Sequence, residues 1–328
     1  MSARLRDPMR GLSAGALACL AAALLAMVPA AMPIASARAP APGVDARTLW
    51  SRVHFIGASA SAGFGVRMPG ARAGAGRSEA MTLARVAGLA RVGAGEVTGD
   101  ATGMFFMSPL QTGEGQVEQL LAMDPPPTLV VADDFLFWFT YGATDADRRP
   151  VRDESQRLAT LERGLALLER IDGRGIPLVV GDIPDMSPAV GRMLSRAQMP
   201  EADTIGRANA RIREWARERP RVAVMPLARL VEDLRSGTPF TAGRRSWSES
   251  TDGPLIQRDQ LHPTFAGTVA LLARSEQAAN ERLLGFRQPN APGTPVAFEH
   301  DPAAVAENAR LETGPGRQAA PVRAAPAR

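Results

Sequence analysis

The chain has no lysine: all 38 of its basic residues are arginine. Without an amine, a P-loop lysine, a Schiff base and a serine–lysine dyad are all excluded. Cysteine occurs once, as Cys19, which removes thiolate zinc sites, CxxC redox chemistry and intramolecular disulfides. Histidine occurs three times, at 54, 262 and 300, so acid–base chemistry by an imidazole has few candidates. The uniform use of arginine and the excess of alanine, glycine and proline read as mutational bias along the whole chain. Its formal charge is only +4, and removing residues 1–37 takes away three arginines and one aspartate and lowers it to +2. No dense basic cluster interleaved with aromatics remains, so nucleic acid is not an expected partner.

What is present is a 328-residue chain, 45% hydrophobic, enough for one large domain with a real core. Residues 1–10 carry three arginines, residues 11–28 are uncharged and mostly apolar, and small residues follow at 35–37. Residues 1–37 therefore read as a secretory signal cleaved near Ala37 or Ala39, with an uncleaved anchor as the alternative. Either way the body is exported, to the periplasm or beyond, with membrane proximity through the N-terminus. Residues 288–328 are rich in proline and alanine with little apolar periodicity, and are expected to be a disordered tail that carries His300 with it. Residues 40–287 are expected to form one domain.

Within that body, apolar runs at 52–57, 128–133, 176–182 and 221–226 have the length and branching of buried strands. The segments between them are helical by spacing: Leu158, Leu161, Leu165 and Leu168, then Ile205, Ala208, Ile212 and Trp215. A further helix is expected to start near Thr264 and turn Val269 and Leu272 inward. Strands alternating with helices predict an α/β fold with a mainly parallel sheet covered on both faces, and ligands beyond the carboxyl ends of the strands.

Four stretches would stand on that rim. "GASASAG" (57–63) follows the first run, Asp133 and Asp134 follow the second, Pro184 and Asp185 the third, and "RDQLHPT" (258–264) precedes the last helix. A serine hydroxyl needs an imidazole to take its proton as it attacks, and His262 is the credible one. Asp259, three residues earlier, can hold that imidazole's tautomer. His54 lies inside the first strand and reads as a strand residue. Aspartates 100, 134, 182 and 185 could instead be read as a metal-assisted phosphatase site, although aspartates after parallel strands often serve only as caps.

"GASASAGFG" (57–65) resembles the first block of the SGNH/GDSL hydrolases, G-D-S-[LI]-[TS]-x-G, and "DQLHPTFAG" (259–267) resembles their last block, D-x-x-H-P. The resemblance spans roughly residues 50–285 and implies a three-layer α/β/α, flavodoxin-like fold. It implies Ser59 as nucleophile, His262 as general base and Asp259 as its orienting partner, with Ser61 a structural residue of the turn. The oxyanion hole would comprise the Ser59 N–H, Gly103 of "GDATG" (99–103) and, in the third block, "ADDFLFW" (132–138), Asp134 where an asparagine is expected. An ionised carboxylate cannot donate, so Asp134 must be protonated, turned away or differently employed. Ala58 likewise stands where the first block has an aspartate. The aromatics between Phe135 and Tyr141 read as core packing or as pocket lining, and "SWSESTDG" (246–253) as part of the substrate rim.

The resemblance thus implies an exported serine esterase acting on a small-molecule, glycan or lipid ester (acetyl or acyl) with no cofactor and no metal. Two other roles stay open. One is a scaffold that binds a glycan or envelope component with weak or no hydrolysis; the other is O-acyl transfer from the same acyl-enzyme.

Overall fold

The computed structural model describes residues 45–69, 80–286, 288 and 290–313. The N-terminal segment with Cys19, and residues 314–328 of the expected tail, lie outside them. Among the described residues no helix is long and apolar enough to cross a membrane.

Five parallel strands form the central sheet: β1 (Arg52–Phe55), β2 (Glu96–Gly99), β3 (Leu129–Ala132), β4 (Leu178–Gly181) and β5 (Val222–Met225), in the order 2-1-3-4-5. In register, Phe55 faces Gly99 on one side and Val131 on the other. β3 and β4 are buried at every position because helices cover both faces, which is why their sequences show no in-out alternation. Their apolar runs, with those of β1 and β5, are the four expected from the sequence. β2, Glu-Val-Thr-Gly, is a half-exposed edge strand whose polar sequence carries no such signal.

Helices α1 (Leu83–Ala90) and α6 (Phe265–Leu283) cover one face. On the other, α2 (Pro109–Leu121), α3 (Glu154–Gly173) and α4 (Ala202–Arg217) pack side by side, and α5 (Leu227–Ser236) follows β5 and leans on α6. The fold is therefore a three-layer α/β/α sandwich with flavodoxin-like strand order. In that order the chain leaves β1 for β2 on one side and returns to β3 on the other, opening a crevice beyond their carboxyl ends. The loops after β1 and β3 both reach it.

The expectation of a disordered tail from residue 288 onward is corrected over residues 290–313. Phe298 bridges to Arg91 through the backbone and meets the Trp50 ring edge-on at 5.5 Å. Helix α7 (Pro302–Thr313) then packs on α1 with Val305, Ala306 and Ala309 buried. His300 is buried too, its Nε2 lying 2.8 Å from the Glu276 carboxylate, whose other oxygen accepts the Ala297 N–H at 2.7 Å. An alanine-rich composition hid this because small side chains bury well only where a neighbouring helix offers a matching groove.

Candidate active site

β1 ends at Phe55, and beyond Gly57 the next six residues coil into a tight turn. Ala62 N–H donates to the Ala58 carbonyl at 2.8 Å and Phe64 N–H to that of Ser59 at 2.9 Å. Asp134, two residues past β3, holds this turn from the side. Its Oδ1 accepts the Ala58 N–H (2.9 Å) and the Ser61 hydroxyl (2.6 Å), and its Oδ2 accepts the N–H groups of Ala60 (2.8 Å) and Ser61 (3.2 Å). Gly57 sits at φ +150°, and a Cβ there would overlap Asp134 Oδ1, so only glycine lets the carboxylate approach.

These contacts correct the placement of Asp134 among the oxyanion donors: its carboxylate is an acceptor for four donors of the turn. It supplies from β3 the acceptor that Ala58 lacks. Ser61, 1% exposed, is part of that anchorage, in keeping with a structural role. With the N–H groups of residues 58, 60 and 61 all engaged, that of Ser59 makes no hydrogen bond among the described residues. The N–H of Gly103 is free in the same sense, since Thr102 N–H binds the Gly57 carbonyl (3.1 Å) and Met104 N–H the Thr102 hydroxyl (3.2 Å).

Gln116, on the buried face of α2, ties these two loops together. Its Oε1 accepts the Gly57 N–H (3.0 Å), and its Nε2 donates to the carbonyls of Gly57 and Asp100, both at 2.9 Å. Sequence reasoning missed this residue. The available signal was a lone amide at the same helical spacing as Gly113, Val117 and Leu120.

On the far side, residues 255–264 double back as a pinned loop: Gln257 N–H donates to the His262 carbonyl (2.8 Å) and Thr264 N–H to that of Leu255 (3.0 Å). Thr264 then caps α6 through its hydroxyl. His262 is thereby held with Nε2 2.9 Å from Ser59 Oγ and Nδ1 2.7 Å from Asp259 Oδ2. The other Asp259 oxygen accepts the N–H groups of Leu261 (2.9 Å) and His262 (3.0 Å). Partial burial opposes ionisation of Asp259, but these donors outweigh it and hold the carboxyl below its usual range. A carboxylate only accepts, so Nδ1 carries the ring proton, Nε2 is the acceptor and the Ser59 hydroxyl donates to it. Ser59 itself is half-buried and reachable.

The remaining candidates lie elsewhere. His54 is buried in β1 between Thr98 Oγ1 (2.8 Å) and Asp100 (3.2 Å), with burial pushing its imidazole toward the neutral form. Asp182 accepts the Ala228 N–H at the start of α5, and Asp185 accepts from Ser187. Asp100, Asp134, Asp182 and Asp185 thus have separate tasks. Among the described residues, no three side chains of the metal-binding types converge.

Asp133 is a different case. It is fully enclosed, and burial, only partly offset by Ser275, pushes its carboxyl up to about 8. Ser275 Oγ lies 2.6 Å from Asp133 Oδ2 and 2.9 Å from the Leu271 carbonyl. One hydroxyl hydrogen cannot serve both acceptors, so the acid keeps its proton and donates it to Oγ. The folded chain therefore holds this proton to about pH 8, whereas the unfolded chain releases it near the ordinary value of 3.8. The unfolded state binds fewer protons across that window, so stability falls as pH rises from about 4 to about 8 and then levels. Asp133→Asn can still donate to Oγ and cannot ionise. It is expected to lose this slope and to be the more stable of the two at pH 8, by several kcal/mol, in urea unfolding. Parallel slopes for the two proteins would refute it.

Beside Ser59 and His262 opens a narrow crevice, part of it continuous with solvent. Its walls are apolar: Phe137 from the β3 loop, Met186 from the β4 loop, Leu230 and Leu234 from α5, and Leu261. The aromatic stretch thus divides, Phe137 lining the crevice while Phe135 and Phe139 pack with Phe105 in the core. Residues 246–253, expected on the rim, contribute nothing to these walls; Trp247 is buried under the hairpin of β6 (Phe240–Ala242) and β7 (Arg245–Trp247).

No family model and no curated protein matches the chain. Among solved structures, a gut microbial diltiazem-metabolizing enzyme aligns with 67% of this chain and 45% of its own length, at 12% identity and a TM-score of 0.38. The chain therefore spans less than half the length of that enzyme.

Proposed function

We propose that this chain is an exported serine hydrolase of the SGNH/GDSL type that cleaves a carboxylic ester through an acyl-enzyme. The observation that carries the reading is the unbroken relay from Ser59 Oγ to His262 Nε2 (2.9 Å) and from Nδ1 to Asp259 (2.7 Å). Ser59 Oγ attacks the ester carbonyl carbon as its proton passes to Nε2, and Asp259 stabilises the imidazolium. The free N–H groups of Ser59 and Gly103 are the donors offered to the tetrahedral oxyanion. Collapse breaks the carbon–oxygen bond to the alcohol, which leaves with the proton from His262. Water then attacks the acyl-enzyme, giving its proton to His262; the acid departs and the proton returns to Ser59. The export component rests on residues 1–37.

The absent oxyanion asparagine favours a second reading, a glycan- or envelope-binding scaffold with weak hydrolysis. The two separate cleanly by labelling. A fluorophosphonate probe is expected to modify the native chain on the peptide bearing Ser59 and to leave Ser59→Ala unmodified, as read by mass spectrometry. A native chain that resists the probe would sink the hydrolase reading.

A further inference from the structure

Eight large apolar side chains stand exposed among the described residues; one of them, Phe64, meets the His262 ring, and three more lie on the turn that follows Gly103. Phe64 is 46% exposed, with its ring 4.6 Å from the His262 ring. A Cβ on Gly103 would lie 3.7 Å from the Phe64 ring, so the next turn continues the same surface. That turn carries Met104 (57% exposed), Phe106 (45%) and Met107 (56%), and Phe106 rests on Trp138 at 5.7 Å. Scattered singly such residues would need no explanation; gathered on one turn and on the Phe64 ring that meets His262 they mark a contact surface.

Exposed arginines adjoin this apolar surface. Gln257 Nε2 binds the Phe64 carbonyl (2.8 Å), and the next residue, Arg258, is exposed. Arg192, also exposed, donates to the Arg258 carbonyl at 2.6 Å, beside exposed Met193. Neither arginine forms an ion pair among the described residues. Apolar side chains offer nothing to the hydroxyls of a sugar, whereas methionine and phenylalanine enter the acyl boundary of a bilayer and free guanidinium groups seek its anionic headgroups.

We propose that this face seats on an anionic lipid surface, and that the ester presented to Ser59 is that of a lipid whose acyl chain enters the crevice between Phe137 and Leu234. The substrate class rests on the serine hydrolase reading; the docking does not, and its test is made without turnover. In a full-length Ser59→Ala, Cys19→Ser background, Met107→Cys carries an environment-sensitive fluorophore, and Val92→Cys, exposed but away from this face, carries it as a control. With phosphatidylcholine:phosphatidylglycerol vesicles the label at 107 is expected to shift to the blue and brighten several-fold, while that at 92 does not. Pure phosphatidylcholine, or Arg192→Glu with Arg258→Glu, is expected to weaken the response at least fivefold. The proposal is overturned if both labels respond equally, whether through the N-terminal segment or otherwise, or if neither does. A shift at 107 that grows with protein concentration without vesicles would assign the face to a second copy of the chain and overturn it too. Vesicle binding with no fluorophosphonate labelling of the native chain would retain the docking and remove only the hydrolase reading.

Discussion

Asp134→Asn is expected to lower turnover of a soluble ester by about 100-fold and to cost about 2–3 kcal/mol of stability, although it introduces the asparagine that the resemblance to SGNH hydrolases led one to expect there. The carboxylate accepts from Ala58, Ala60 and Ser61 at once, and an amide has only one accepting oxygen. If the new Nδ2 replaces Oδ2, it faces the N–H groups of Ala60 and Ser61, donor against donor. If it replaces Oδ1, the Ser61 hydroxyl can turn to accept, but Ala58 N–H loses its partner. Either orientation leaves a buried donor unsatisfied and loosens the turn that presents Ser59, where displacements of an ångström are costly. The opposite result has an equally definite meaning. Turnover that rises in Asp134→Asn would place position 134 in the oxyanion hole and overturn its reading as the anchor of the turn. Urea unfolding and kcat measured on the same preparation decide between them.

What could be read in the sequence divides along a physical line. β1, β3, β4 and β5 were legible because strands enclosed on both faces must be apolar at successive positions, as Leu-Val-Val-Ala and Leu-Val-Val-Gly are. Ser59, His262 and Asp259 were legible because two of the three share one short loop and the third follows a glycine at a strand end. Features that depend on one loop meeting another were not. Asp134 looks like a misplaced donor until the turn at 57–63 is seen closing on its carboxylate, and Gln116 looks like a helix residue until Gly57 and Asp100 are seen against it. The ordered segment after residue 290 was lost in the same way. Val305, Ala306 and Ala309 form a weak apolar stripe whose burial is decided by α1, a partner some 200 residues earlier in the chain.

Removing the imidazole or the hydroxyl is expected to have the largest effect. Ser59→Ala and His262→Ala should each lower kcat by about 10³- to 10⁶-fold, and the double variant should be scarcely worse than either, because the two act as one unit. Additive losses would mean that they serve separate tasks. Asp259→Asn tests the relay further. The carboxylate now fixes the proton on Nδ1; an amide nitrogen turned toward Nδ1 would donate instead, move the ring proton to Nε2 and leave Ser59 without its base. A loss of about 10⁴-fold is expected with the fold intact, since the Asn Oδ1 can still accept from Leu261 and His262 N–H. The carboxyl is held below its usual range by these same donors, so Asp259 stays ionised at and well below neutral pH. Activity ratios between the native chain and Asp259→Asn should therefore be large at neutral pH, where the Asp259 carboxylate is ionised. A ratio near one at neutral pH would show that His262 finds its tautomer without Asp259.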